Sequence, residues 1–197
     1  MRTVKILSGN LMAVASLLLM ASCNNEATDS VSKADSINRA ERRAADSINQ
    51  AKIPDENVSK FLVRASNSSM TEVMMSQIAL DRGTNKAVKD ISKTLIDDHK
   101  ALHDQVKSLA MQRNITLPDS ISTDSREEYD DLLKKRGGDF DKEYVSEMID
   151  EHEDGIKSME DIVNNTNDAG IRTFAENSLV KMRTHLQTLK NIKDGMK

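Results

Sequence analysis

Four side chains with ligand chemistry stand inside otherwise apolar helical stripes: Glu72, His99, His152 and His185. Projected at about 100° per residue, Glu72 falls among Val58, Phe61, Leu62, Ala65, Ser69, Val73, Ala79 and Leu80. His99 falls among Val88, Ile91, Leu95, Leu102, Val106 and Leu109. His152 shares a stripe with Phe140, Tyr144, Val145, Met148, Ile156, Met159 and Val163. His185 joins Ile171, Phe174, Ala175, Ser178, Leu179, Met182, Leu186, Leu189 and Ile192. Three imidazoles and a carboxylate converging inside a bundle would hold a metal ion, and iron, zinc or manganese suits them better than calcium. The alternative is a set of core histidines hydrogen-bonded to neighbours such as Tyr144, Ser69 or Ser178. Asp98, Asp150 and Glu151 adjoin histidines in sequence but project off the stripe centres. With Tyr144 they are expected around the ligands rather than among them. His103, four residues after His99, projects to the stripe's edge and is read as solvent-facing.

Depth separates the two halves of this set. His152 lies about 15 residues before the nearest turn and His185 about 17 after it, which puts them level at roughly 1.5 Å per residue. Glu72 lies about 11 residues before its turn and His99 about 16 after, a mismatch of roughly 7 Å. Met70, Met74 and Met75 offer thioethers for copper but project away from the main stripe. No Ser-His-Asp constellation, glycine-rich phosphate loop or paired-carboxylate motif occurs, so no catalytic residue is assigned.

The elements that must position these residues are helical throughout. Helical spacing predicts a first long helix over about 58–80 and a second over about 86–112, with Gly83 between them and Thr84 or Asn85 as cap. Pro118 marks a loop, and a short acidic helix follows over about 123–135, with Ser125 and Glu128 at capping-box spacing. Gly137 and Gly138 end it. Asp139 is expected to cap a third long helix to about Asn164, and the fourth runs from about Ala169 to Lys193. Short connections within each pair predict an all-α, antiparallel four-helix bundle of two hairpins, with the short acidic helix in the crossover between them.

The first 23 residues carry a different signal. Arg2 and Lys5 precede an apolar run from Leu11 to Met20, and Ala21-Ser22 leads into Cys23, the only cysteine. Charged, apolar and small residues in that order read as a secretory signal, too short for an ordinary membrane span. The small pair before a cysteine resembles the lipobox of bacterial lipoproteins, which implies that Cys23 is lipidated and begins the mature chain. The expected organisation is then a signal over 1–22, a lipid-anchored charged tether over 23–56, and a bundle domain over 57–197. Within the tether, Ala34-Asp35-Ser36-Ile37-Asn38 recurs as Ala45-Asp46-Ser47-Ile48-Asn49. Ile37 and Ile48 would share one helix face, but two isoleucines among charges make no core. A solvated tether is the expectation, and a docking helix for a partner or a second copy is the alternative.

Composition excludes some classes. Without Arg2 and Lys5 the chain holds 26 basic and 32 acidic residues, a net charge of −6, and it has no tryptophan. An acidic body with so few aromatics lacks both the basic footprint and the stacking platforms of nucleic-acid binders.

The region from Phe61 to Lys193 resembles an uncharacterised ferritin-like family of exported bacterial proteins, the domain-of-unknown-function family 4142. The resemblance rests on Phe61 to Glu72, Val88-Lys89 and Asp98-His99, then Ile115-Thr116-Leu117-Pro118 in the loop. It continues through Phe140-Asp141-Lys142-Glu143-Tyr144, His152 and His185. It implies a ferritin-like four-helix bundle in the cell envelope and no established activity. Working di-iron ferritins carry Glu-x-x-His on two helices, whereas here Ile96, Ile149 and Met182 stand three residues before the histidines. Asn24 after the cysteine favours the outer membrane. The leading functional expectation is a membrane-anchored, non-catalytic module of interaction or stress protection, with a protein partner or homodimer. The second is a metal-binding protein or metal-dependent oxidase using the four inward residues.

Overall fold

The computed structural model describes residues 29–47 and 55–196. They form six helices: α1 (Ser30–Ser47), α2 (Glu56–Arg82), α3 (Lys86–Met111), α4 (Thr123–Lys134), α5 (Gly137–Asn165) and α6 (Ala169–Gly195). Helix α2 packs chiefly on α3 and α5 on α6, and α2–α5 and α3–α6 contacts join the two hairpins. The protein is thus an all-α four-helix bundle, with α4 in the crossover. Cys23 and Ile48 lie outside the described residues. Among the described residues, no helix is long and apolar enough to cross a membrane.

Local chemistry explains the helix boundaries. Asp55, Asn85, Ser122 and Asp168 each accept a backbone N–H in the first turn that follows, satisfying donors the helix itself cannot. Ser122, not Ser125, therefore caps α4. Asp139 lies inside the first turn of α5, where its charge favours the helix dipole, while Arg136 holds the cap position without a side-chain bond. The α2–α3 turn is tight: a Cβ on Gly83 would sit 2.5 Å from the Ala79 carbonyl oxygen. Buried Asp141 of α5 clamps this turn by accepting from Thr84 N, Thr84 Oγ1 and Asn85 N.

Two apolar clusters fill the bundle. One gathers Val58, Phe61, Leu62, Val106, Met159, Ile171 and Phe174. The other gathers Met75, Val88, Leu95, Phe140, Tyr144, Met148 and Leu189. Met75 is fully buried in this second cluster. It therefore does not project outward as expected, because α2 meets both α3 and α5 and so buries a wider face than one stripe.

Residues 30–47 correct the tether expectation, because α1 lies on the bundle. Ala34 and Asn38 are buried while Ile37 is exposed. The Asn38 amide donates to Thr116 O at 2.8 Å and accepts from Thr116 N at 2.7 Å. Asp29 accepts from Thr123 N, and Ser30 donates to Asp119. This docking is polar, so a search for apolar periodicity does not register it.

Candidate metal centre

Between the two apolar clusters, at mid-height, the bundle carries a polar layer of one residue from each long helix. Glu72, His99, His152 and His185 are all buried there. The imidazoles form a near-equilateral triangle, with ring centroids 5.3, 5.4 and 5.7 Å apart. One ligand nitrogen from each of the three lies within 4.8 Å of the others. Glu72 Oε2 sits 3.2 Å from His99 Nε2 and 3.2 Å from His152 Nδ1. The expected 7 Å mismatch of Glu72 and His99 is absent. Side chains lean toward the N-terminus of their own helix. Glu72 thus leans away from the α2–α3 turn and His99 toward it, which closes the gap.

Hydrogen bonding decides which nitrogens are bare. His152 Nδ1 lies 2.7 Å from the Met148 carbonyl oxygen. A carbonyl only accepts, so Nδ1 carries the proton and Nε2 keeps a lone pair. His185 Nε2 lies 2.9 Å from Asp98 Oδ2. Burial opposes ionisation of Asp98, but hydrogen bonds and charges from Lys181 and His185 outweigh it and lower its pKa. An ionised carboxylate only accepts, so His185 donates through Nε2 and its Nδ1 is bare. The two bare nitrogens, His152 Nε2 and His185 Nδ1, face each other at 3.3 Å.

Protonation cannot relieve that opposition cheaply. Burial pushes His152 down to about 4, against a smaller upward pull from the Met148 carbonyl. Burial lowers His185 despite Asp98, and lowers His99 well below the ordinary value, helped by the neighbouring imidazoles. Glu72 is raised well above the carboxylate range by burial, then by the charge of Glu151. Burial thus favours the neutral form of all four groups in the layer. Glu72 Oε2 and both His99 nitrogens have no hydrogen-bond partner, since the 3.2 Å approach between them is misaligned. A tetrahedral ion at about 2.0–2.1 Å from each nitrogen separates two ligands by about 3.3 Å, matching the His152–His185 spacing. Held outer nitrogens and bare inner ones are what metal-bound histidines require.

The surrounding residues sort differently from expectation. Asp98 touches His185, as its place beside the cluster suggests. Asp150 is exposed on α5 and takes no part. Glu151 is half-buried and accepts from Ser68 Oγ rather than from a histidine. The Tyr144 hydroxyl pairs with Ser76 at 2.9 Å, and burial pushes its pKa up to about 12. It reaches no histidine because it points into the apolar cluster below. His103 is half-buried rather than solvent-facing, with its Nδ1 unpartnered, yet lies outside the imidazole triangle. Lys181, which steadies Asp98, was legible as the residue one turn before His185 on the same helix side. Gly155 left no such signal. A Cβ there would meet Met182 Cε at 2.8 Å, one turn from the cluster, and the flexible methionine end could move aside.

Fold and site together define an all-helical bundle with a buried three-imidazole layer whose ligand nitrogens lie within 4.8 Å of one another. The chain belongs to the family described as Domain of unknown function (DUF4142), whose model matches residues 43–192. Two solved structures share the fold. "CopM in the Cu(II)-bound form" aligns with TM-score 0.62 at 14% identity, over 71% of this chain and 97% of that one. "CopM in the Ag-bound form" aligns with TM-score 0.58 at 14% identity, over 70% and 96%. At that identity the likeness concerns the fold alone. No curated protein matches the sequence.

Proposed function

We propose that this protein is a metal-binding bundle of the bacterial envelope, tethered to a membrane by lipid on Cys23, with His99, His152 and His185 as its ligands. The observation that carries the metal reading is the pair of bare nitrogens, His152 Nε2 and His185 Nδ1, held 3.3 Å apart by partners on their far sides. Core histidines without an ion would turn one proton inward and close a hydrogen bond; here both protons are committed outward. Imidazole suits zinc, copper, iron and nickel, and the tetrahedral spacing favours zinc(II) or copper(I) over octahedral ions such as manganese. CopM is described in Cu(II)- and Ag-bound forms, which makes copper the second ion to test after zinc. With a single carboxyl in the layer and no Glu-x-x-His pair, the site suits one ion held or buffered rather than di-iron oxidase chemistry.

The test is elemental analysis of the mature, tag-free protein, with calorimetry of wild type and His152→Ala, each with and without chelator. Bound metal and a metal-induced rise in melting temperature, both lost in His152→Ala, are expected. No metal and identical melting with and without chelator would leave only an interaction scaffold. The anchor is tested separately: Cys23→Ser should abolish labelling by a palmitate analogue and release the protein from membranes. Labelling that persists in the variant sinks the lipoprotein reading.

A further inference from the structure

The imidazole layer is buried, and a groove approaches it from one side. The groove, of about 750 Å³, runs between α2 and α5, and Glu72 and His99 form its inner wall, whereas His152 and His185 do not line it. The same two residues hold the unpartnered atoms: Glu72 Oε2 and both nitrogens of His99, on side chains of residues only 1% and 2% exposed. His152 and His185 each have one nitrogen anchored. The groove therefore meets the loosely held half of the layer, and the anchored half lies behind it.

Carboxylates gather at this end of the groove. Asp154 lines it, and Ser68 on its wall donates to Glu151. Glu151 is close enough for its charge to act on Glu72, and Glu128, Asp154 and Glu147 act on Glu151 in turn. The groove also carries Lys60, Arg64 and Lys157. Lys60 and Arg64 stand about 18 and 12 Å from Glu72 along the axis of α2, and Lys157 lies a turn beyond Asp154. The metal end thus carries acids without a base, while the far end mixes Lys60, Arg64 and Lys157 with Asp161.

Resting on the three-imidazole reading, we propose that this groove is a capture site for the incoming divalent cation. Glu72 and His99 take the ion first, drawn by Glu151 and Asp154, and pass it inward to His152 and His185. Oxygen ligands accept a hydrated cation readily, so water is shed in steps rather than all at the buried nitrogens. A route of this kind lowers the barrier in both directions. Blocking it must slow association and dissociation by the same factor and leave Kd in place.

Stopped-flow mixing of the full mature protein with zinc chloride, and of the loaded protein with excess chelator, measures both rates. Ser158 is half-buried and lines the groove, so Ser158→Trp should obstruct it. Both rates should then fall about tenfold or more, with Kd within about twofold of wild type. Glu151→Gln should lower the association rate about tenfold at low ionic strength, the difference closing in 1 M salt. Wild-type rates in both variants, or a changed Kd with an unchanged association rate, would overturn the capture site while leaving zinc binding intact. If Ser158→Trp does not fold, the low-salt association rate of Glu151→Gln decides alone. A wild type that binds no zinc at equilibrium overturns the three-imidazole reading and this inference with it.

Discussion

Replacing Asp98 by asparagine isolates the role of the outer shell of the proposed site. Asp98 holds His185 Nε2 at 2.9 Å and so turns the bare Nδ1 toward His152. Asparagine keeps the shape but removes the charge, and its amide can present a donor instead, which would flip the imidazole tautomer. Loss of such a partner costs about 10- to 100-fold in metal affinity, or about 1.4–2.8 kcal/mol. At about 2–4 °C per kcal/mol for a domain of this size, the zinc-induced rise in melting temperature should shrink by about 3–11 °C. Without metal the effect should be small. The Asp98 and Lys181 side chains are 26% and 62% exposed, and ion pairs that open to water contribute about 0–1 kcal/mol. Calorimetry of both proteins with and without zinc, together with competition titration of zinc affinity, separates the two contributions. Wild-type zinc affinity in Asp98→Asn, or an equal drop in melting with and without zinc, would refute the reasoning.

Docking of α1 predicts that Asn38→Ala, which removes both hydrogen bonds to the part-buried N–H and C=O of Thr116, destabilises the protein by about 1–3 kcal/mol in urea titration. A loss under about 0.5 kcal/mol would return this helix to the status of a tether. A chain truncated to begin at Asn57 should melt lower for the same reason. For the metal-free protein, the folded pKa of His152, about 4, lies below its ordinary 6.5. The unfolded chain therefore gains a proton that the folded state refuses, and this histidine's contribution to stability is lost as pH falls from 6.5 toward 4. Glu72 acts in the opposite sense: its contribution is complete below about pH 4.5 and is lost as pH rises through its raised folded value. Glu72→Gln should accordingly stabilise the metal-free protein at pH 7, and an unchanged melt at that pH would refute the raised folded value.

Much of this protein was legible before any coordinates. Helical periodicity and Gly83, Asn85, Pro118 and Asp168 delimit four long helices within a few residues, because caps and breakers act through neighbouring backbone groups. The same periodicity places Glu72, His99, His152 and His185 on inward faces, since burial of a stripe is a property of one helix at a time. What one helix cannot state is how two helices meet. The level of Glu72 against His99 depended on the opposite lean of side chains on antiparallel helices. The bare nitrogens depended on Met148, within its own helix, and on Asp98, reached across from α3 to α6. Asn38 docked through a polar bond to a loop nearly 80 residues away, which no apolar pattern records. Residue types and spacing determined which side chains would point into the core. Only the tertiary structure decided which atoms of those side chains would be left without a partner, because hydrogen bonding is settled by direction and distance between elements, and those are set only when the helices pack.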